Sequence, residues 1–160
     1  MSTGLHEFNK SLKTGQRYER VLDKVFSDRY SITPVSMDLQ RLGIDRIFTS
    51  IKSRKRFSVE YKGDEKTQTT GNAFIETVSV DTDNKPGWAI TSCAQILIYY
   101  VIGPNDIYIS YMTEIKRLVS DWANKYEEKP AYNEGYKTLG LCVPIEEIEP
   151  ISRVIRGATP

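Results

Sequence analysis

The sequence predicts an α/β fold in which helices flank a mixed central β-sheet. The chain begins with an amphipathic helical pattern, a second such pattern follows later, and runs rich in β-branched and aromatic residues lie between them. The 160 residues suit one domain with one sizeable hydrophobic core, so we predict a single domain over residues 1–160. Residues 1–13 are polar, and we expect them to be disordered.

The first helix is predicted from a stripe of apolar residues at helical spacing. These residues are Tyr18, Val21, Leu22, Val25 and Phe26. Thr14 or Gly15 precedes the stripe and is the expected N-cap. Glu19 lies beside the stripe, near its boundary with the polar face of the helix.

A β-hairpin is predicted next. The stretches GIDRIFTSI and RFSVEYKG are rich in residues that favour strands, and a short basic turn joins them. Downstream, GNAFIETVSVD predicts a third strand and DTDNKPGW predicts a turn. The segment SITPVSMDLQRL, which precedes the hairpin, is ambiguous.

The second half of the chain predicts a strand pair, a helix and a late strand. AQILIYYVIG predicts a buried strand, and DIYISYM predicts the strand that returns beside it. TEIKRLVSDWANKY is the clearest second helix. The polar stretch EEKPAYNEGYKTLG predicts a connection, and LCVPIEEI predicts a late or edge strand.

Composition bounds the function and the compartment. The formal net charge is only +1, so any affinity for polyanions must come from local clusters of basic residues. Cys93 and Cys142 lie in apolar stretches without metal-ligand spacing, which predicts buried free thiols. The N-terminus MSTGLHEFNK lacks the apolar core of a signal peptide, and the longest apolar run is too short to span a bilayer. We therefore predict a cytoplasmic protein with no membrane partner.

Three charged residues of the predicted hairpin form a candidate site. Alternate residues of a strand point to the same face, so Glu60 and Lys62 project together while Tyr61 faces the other way. Asp45 lies early in the preceding strand. Near the open end of a hairpin these offsets bring side chains together, so we expect Asp45, Glu60 and Lys62 to converge.

Such a cluster suits metal-assisted chemistry. Two neighbouring carboxylates repel each other, and a hard divalent cation relieves that repulsion. Asp45 and Glu60 offer the oxygen ligands that Mg²⁺ prefers, with Mn²⁺ expected to substitute, and Mg²⁺ needs only one or two carboxylates plus phosphate oxygens. A lysine beside them orients a water and stabilises an anionic transition state. The chemistry that this arrangement favours is phosphodiester hydrolysis.

The same residues resemble a known family. A first helix with Glu19, then GID with Asp45, then VEYK with Glu60 and Lys62, is similar to the PD-(D/E)XK nuclease superfamily, which includes restriction endonucleases and Holliday junction resolvases. The resemblance extends roughly from Arg17 to Ile148, although its motif spans only Asp45 to Lys62. It implies a restriction endonuclease-like core in the order helix, three strands, helix, strand.

The resemblance also implies roles for individual residues. Asp45 and Glu60 would bind the metal together with the main-chain carbonyl of Tyr61, and Lys62 would position the attacking water. Accessory acids would be Glu19, on the first helix, and Glu76, at the start of the third strand. The implied activity is Mg²⁺-dependent endonucleolytic hydrolysis of DNA that leaves a 5′-phosphate. Its resolvase-like members imply branched or recombination-intermediate DNA as substrate, and a homodimer where paired strands are cut.

The turn of the hairpin carries a cluster of basic residues that we call the basic tip. Its residues are Lys52, Arg54, Lys55 and Arg56. They are candidates for contacts with DNA phosphates, which carry no base specificity. Further positive charge surrounds the first helix at Lys10, Lys13, Arg17 and Arg20.

Two other functions remain open from the sequence. The chain would be a non-catalytic nucleic-acid-binding module if the basic tip binds DNA and the carboxylates hold no metal. It would be a protein-interaction domain if Glu60 and Lys62 form an ordinary ion pair on a solvated strand and the protein has no affinity for polyanions.

Overall fold

The computed structural model describes residues 3–159, with side chains described from residue 14 onward. It is a mixed α/β structure with a six-stranded mixed sheet, a second antiparallel sheet of four strands, and flanking helices. This confirms the predicted α/β class and the mixed sheet. The prediction that all strands lie in one central sheet is wrong, because four of them form a second sheet.

The elements are as follows. The helices are α1 (Thr3–Phe26), α2 (Met37–Arg41), α3 (Thr67–Thr70), α4 (Trp88–Thr91), α5 (Met112–Lys125) and α6 (Ile145–Ile148), with a 3₁₀ turn at Glu149–Ile151. The strands are β1 (Tyr30–Pro34), β2 (Arg46–Ser50), β3 (Arg56–Asp64), β4 (Asn72–Val80), β5 (Lys85–Pro86), β6 (Ile96–Val101), β7 (Asp106–Tyr111), β8 (Glu128–Tyr132), β9 (Lys137–Pro144) and β10 (Ser152–Ile155).

The six-stranded sheet has the order β1-β2-β3-β6-β7-β10. The hairpin predicted from the sequence is confirmed, because β2 and β3 pair antiparallel with Arg46 opposite Val59 and Phe48 opposite Phe57. Strand β6 pairs parallel with β3, and the remaining neighbours pair antiparallel. The parallel pair is reached by a long crossover that contains β4, β5 and α4.

The two faces of this sheet bury different cores. Helix α1 packs on one face, and that core contains Leu22, Phe26, Phe48, Val59, Tyr61, Ile98 and Ile107. The other face packs against α4, α5 and the second sheet through Ala73, Ile75, Trp88, Leu97, Tyr99, Ile115, Trp122 and Leu141. Successive residues of β3 and β6 therefore serve opposite cores, as the strand period requires.

The second sheet has the order β5-β4-β9-β8. Its strand β4 is the predicted GNAFIETVSVD strand, which lies beside β9 rather than in the central sheet. The stretch EEKPAYNEGYKTLG, predicted as a connection, instead contains β8 and the start of β9. Strand β8 is a polar edge strand that includes Pro130, and its strand conformation comes from pairing with β9 rather than from its own propensity.

Helix α1 begins at Thr3, so neither Thr14 nor Gly15 is its N-cap. An apolar stripe marks the part of a helix that packs against the core, and it carries no signal for the turns that precede it. The described side chains begin at residue 14, so those of Lys10 and Lys13 lie outside the described part of the chain.

The two cysteines are free thiols, but the prediction that both are buried is wrong. Cys93 is exposed and Cys142 is half-buried. Cys93 follows the short helix α4 in a surface turn, where an apolar neighbourhood in sequence does not produce burial. Within residues 3–159, none of the helices combines the length and the apolar character that crossing a bilayer would need.

Candidate active site

The β2–β3 hairpin places Asp45 directly beside β3. The N–H of Asp45 donates to the carbonyl of Val59 at 2.8 Å, and Val59 is also the residue opposite Arg46, so Asp45 and Arg46 share one partner on β3. The side-chain Oδ2 of Asp45 accepts the N–H of Tyr61 at 2.7 Å. Because Tyr61 lies between Glu60 and Lys62 in the chain, the Asp45 carboxylate is held next to both.

Glu60 and Lys62 form an ion pair on the face of β3 that points away from α1. The Nζ of Lys62 lies 2.8 Å from Oε1 of Glu60. Glu60 is almost fully buried, with 2% of its side chain exposed, whereas Lys62 is 33% exposed. Val59 and Tyr61 point into the α1 core. The pair thus lies at the boundary between the interior and a solvent-accessible edge.

The second carboxylate oxygen of Glu60 is buried without a partner. Oε2 has no hydrogen-bond partner, because the nearby hydroxyl of Ser92 donates to the carbonyl of Gly43 at 3.1 Å, although Ser92 is close enough to lower the pKa of Glu60 in part. Burial raises the pKa of Glu60, the positive charge of Lys62 lowers it in part, and Asp45 raises it further. A buried acceptor without a donor is a site that favours an incoming cation or proton.

Gly43 makes room for this carboxylate. A Cβ atom at Gly43 would lie 3.0 Å from Oε2 of Glu60 and 2.9 Å from Oγ of Ser92. The residue also has a φ of 72°, in the left-handed region that glycine tolerates best. The turn that leads into Asp45 therefore requires glycine for two separate reasons.

We expect Gly43→Ala to destabilise the fold by about 2 kcal/mol or more, since the left-handed backbone alone costs about 1–2 kcal/mol for a residue with a Cβ. Urea denaturation measures the change. Gly71→Ala is the matched control, because Gly71 has a nearly equal φ of 71° and nothing within 4 Å of its Cβ position. Equal losses in the two variants would contradict the crowding at Glu60.

Strand β4 of the second sheet and helix α4 supply further groups to the Lys62 side. The Nζ of Lys62 lies 5.7 Å from the centroid of the Trp88 ring, and Oε1 of Glu76 accepts the main-chain N–H of Trp88 at 3.3 Å. Burial lowers the pKa of Lys62, but the charges of Glu60, Asp45 and Glu76 outweigh it and the net pKa is raised. Burial raises the pKa of Glu76, and Lys62 partly offsets that. Lys62 is therefore a charged ammonium at neutral pH.

Glu19 does not face this cluster as a free carboxylate. Its Oε2 accepts from the Arg46 guanidinium at 3.0 Å, and Asp23 binds the same guanidinium at 3.1 Å. Arg46 in turn donates to the carbonyl of Asp45 at 2.9 Å. The accessory-acid role of Glu19 stays a prediction, and its contact in the structure is a link between α1 and the backbone of Asp45.

Several residues at the site had no signal in the sequence. Tyr18 packs its ring on Gly63, where a Cβ would come within 2.6 Å of the ring, and its pKa is raised by burial and lowered in part by Lys62. Trp88 and Ser92 reach the site only because α4 lies in the crossover between β4 and β6. Contacts of this kind depend on docking of distant segments and leave no local pattern.

The basic tip is fully exposed. Lys52, Arg54, Lys55 and Arg56 are all exposed, and no ion pair among residues 14–159 involves them. Arg54 has a φ of 60°, a conformation in which a long side chain is uncommon. On α1, Arg17 and Arg20 are also exposed. Glycine would adopt this φ without strain, so Arg54 can be replaced by glycine without disturbing the turn.

We expect Arg54→Gly to change stability and DNA affinity in opposite directions. Relief of the left-handed strain, less the entropy cost of glycine, stabilises the fold by about 0.5 kcal/mol. If the basic tip contacts DNA phosphates, as the sequence predicts, loss of one contact weakens DNA binding and reduces the slope of log affinity against log salt by about 0.9. Thermal unfolding and fluorescence anisotropy at several salt concentrations measure the two effects. Unchanged DNA affinity would contradict the assigned phosphate contact.

Among the described residues, no group of three or more His, Cys, Asp or Glu side chains is arranged to hold a metal ion. Any metal here would depend on two carboxylates, main-chain oxygen and water. No family model matches the chain, and neither curated proteins nor solved structures show significant similarity to it.

Proposed function

We propose that the protein is a metal-dependent DNA endonuclease that hydrolyses phosphodiester bonds. The observation that carries this proposal is the bond from the Tyr61 N–H to the Asp45 carboxylate, which gathers Asp45 beside the Glu60–Lys62 ion pair. Part of the element order supports it as well: α1 is followed by β1, β2 and β3 of one antiparallel ribbon and later by β6, which pairs parallel with β3, although β4 and β5 of the second sheet lie between β3 and β6.

The residues present fit Mg²⁺ or Mn²⁺. The unpartnered Oε2 of buried Glu60 is a hard oxygen ligand, and Asp45 supplies a second carboxylate. In a strand, the N–H and the C=O of one residue point towards the same neighbouring strand. The N–H of Tyr61 points to Asp45, so its carbonyl also points to the β2 edge of β3. The last pair of β2 with β3 is at Val59, so β2 does not cover this carbonyl. These three groups would hold the cation, and water and phosphate oxygens would complete its shell.

When bound, the metal ion would polarise the scissile phosphate and stabilise its added negative charge. The ammonium of Lys62 is held by Glu60 and lies near Trp88, so its direction is fixed. Because its pKa is raised, Lys62 at neutral pH donates hydrogen bonds to water or phosphate and does not accept a proton. Its role in this proposal is to orient the attacking water and to stabilise the transition-state anion.

The substrate class follows from the resemblance. We infer branched or recombination-intermediate DNA, and where such a substrate needs paired cuts on two strands, a homodimer would supply the two sites. The basic tip provides phosphate contacts for such a substrate without base specificity.

A panel of branched, duplex and single-stranded DNAs, incubated with Mg²⁺ or Mn²⁺, tests the proposed activity. We expect cleavage of at least one form, dependent on the metal and abolished by a chelator, with a 5′-phosphate at the cut. If purified wild-type protein cuts none of these forms with either metal, the proposed nuclease activity is excluded.

A non-catalytic DNA-binding module is the second candidate. It is favoured by the ion pair with Lys62, which already neutralises Glu60, and by the lack of a three-acid cluster among the described residues. Calorimetric titration with Mn²⁺ separates the two functions. A nuclease takes up the metal at Asp45 and Glu60, whereas a binding module retains DNA affinity without metal uptake.

A further inference from the structure

The part of the six-stranded sheet formed by β1, β2 and β3 has a face that points away from α1, which we call the outer face. The paired registers assign to it Ser31, Thr33, Ile47, Thr49, Arg56 and Ser58. The alternate residues, such as Ile32, Phe48 and Phe57, pack in the α1 core. Ser31, Thr33 and Arg56 are exposed, and Thr49 and Ser58 are half-buried.

The outer face joins the candidate active site to the basic tip. Glu60 shares this face because it lies two residues after Ser58 on the same strand. At the other end, Arg56 belongs both to the outer face and to the basic tip. None of the six residues is acidic or aromatic, and four of them carry hydroxyl groups.

We propose that the outer face is a track for the backbone of a duplex DNA arm that lies on one side of the scissile phosphate. This inference rests on the proposed function, which puts the scissile phosphate at Asp45 and Glu60. Hydroxyl groups and arginine are ordinary donors to phosphate oxygens, and the basic tip supplies the charge that complements a polyanion. Proteins that hold single strands use aromatic stacking, and the outer face offers none.

The dimensions set the length of that arm. Glu60 and Arg56 are separated by four strand residues, so at about 3.3 Å each the basic tip begins roughly 13 Å from Glu60 and its turn reaches further. At about 3.4 Å per base pair, about 13 Å corresponds to about four base pairs, and the turn beyond Arg56 extends the track to about five. The substrate therefore needs at least that much duplex on one side of the cut, and the outer face sets no duplex length on the other side.

The arm length is tested on a substrate whose cleavage position has been mapped. The duplex is shortened to about 12, 8, 5 or 3 base pairs, lengths that bracket the predicted length of about five. It is shortened first on one side of the cut and then on the other. We expect kcat/KM to fall about tenfold when one side is shorter than about five base pairs, with no effect of trimming the other side. The variant Lys52→Gln/Lys55→Gln loses this dependence. The proposed track is overturned if kcat/KM depends equally on duplex length on both sides of the cut, or if it does not depend on duplex length in the wild type.

Binding of a 12-base-pair duplex tests the outer face itself, independently of cleavage. Ser31→Glu and Thr33→Glu introduce a negative charge at exposed positions of the outer face, and we expect each to weaken DNA binding about fivefold or more. Ser120→Glu is the matched control, an exposed serine on α5. Circular dichroism verifies folding of all three variants.

Failure of the proposed enzyme and failure of the proposed track give different results. If no DNA is cut but the Ser31 and Thr33 variants bind more weakly than the Ser120 variant, the proposed enzyme fails and the outer face stands as a duplex-binding surface without a cut site. If DNA is cut but the three variants bind alike, the track fails and the enzyme stands.

Discussion

Replacing Lys62 with methionine is expected both to abolish Mg²⁺-dependent cleavage and to destabilise the fold. The loss of a charged donor at the transition state costs about 100-fold or more in kcat. The loss of stability arises because Glu60, 2% exposed, keeps a buried carboxylate without its 2.8 Å partner. Removal of one member of a buried pair typically costs about 3–5 kcal/mol. Single-turnover cleavage and urea denaturation measure the two losses.

The double variant Glu60→Gln/Lys62→Met is the control for this prediction. It removes both charges, so it is expected to recover most of the lost stability while cleavage stays abolished. Cleavage that persists in Lys62→Met, or a double variant that is less stable than Lys62→Met, would contradict the assigned pair.

The stability of Lys62→Met is also expected to depend on pH. Burial already raises the pKa of Glu60 in the wild type, and the lysine charge is the main influence that lowers it. Without that charge the folded-state pKa rises further above the unfolded-state value. A group with a raised acid pKa favours folding at low pH and opposes it as pH rises through the folded-state pKa. The difference in the free energy of unfolding between wild type and Lys62→Met should therefore become smaller as the pH falls from about 8 to about 4. A difference that does not change with pH would show that the charge of Glu60 does not cause the loss of stability.

The centre of the site was accessible from the sequence because it depends on local strand geometry. Glu60 and Lys62 share a face through the period of two residues, and a short turn fixes the hairpin that brings Asp45 beside them. Those relations involve fewer than about 20 residues of chain and need no knowledge of the tertiary structure.

The surroundings of the site were not accessible in this way. Glu76 reaches Lys62 from the second sheet, which forms only when β4 pairs with β9 over a long separation in sequence, and Trp88 reaches it from α4 in the crossover. The polar sequence of β8 gave no sign of that sheet, because an edge strand takes its conformation from its partner.

The contact of Glu19, on the α1 side of the sheet, could not be predicted from the sequence either. Its position beside the apolar stripe of the first helix follows from helical period, and the sequence analysis placed it there. Its partner Arg46 is on β2, and the 3.0 Å contact exists only after α1 docks on the sheet. Pattern analysis identifies which face of a helix packs, but not which charge it meets.

Replacing Asp45 with asparagine is expected to remove metal binding and cleavage while the fold persists. An asparagine side chain keeps an oxygen that accepts the Tyr61 N–H, now 2.7 Å from Oδ2 of Asp45, so the hairpin retains its bond. The negative charge is lost, and Mn²⁺ affinity measured by calorimetry should fall about 100-fold or more, since even residues that only support a metal ligand contribute about 10–100-fold. Asp28→Asn, at an exposed carboxylate after α1, is the matched control and should bind Mn²⁺ like the wild type. Undiminished Mn²⁺ binding by a folded Asp45→Asn protein would show that the carboxylate beside Tyr61 holds no metal, and the DNA-binding module would then account better for the basic tip and the outer face.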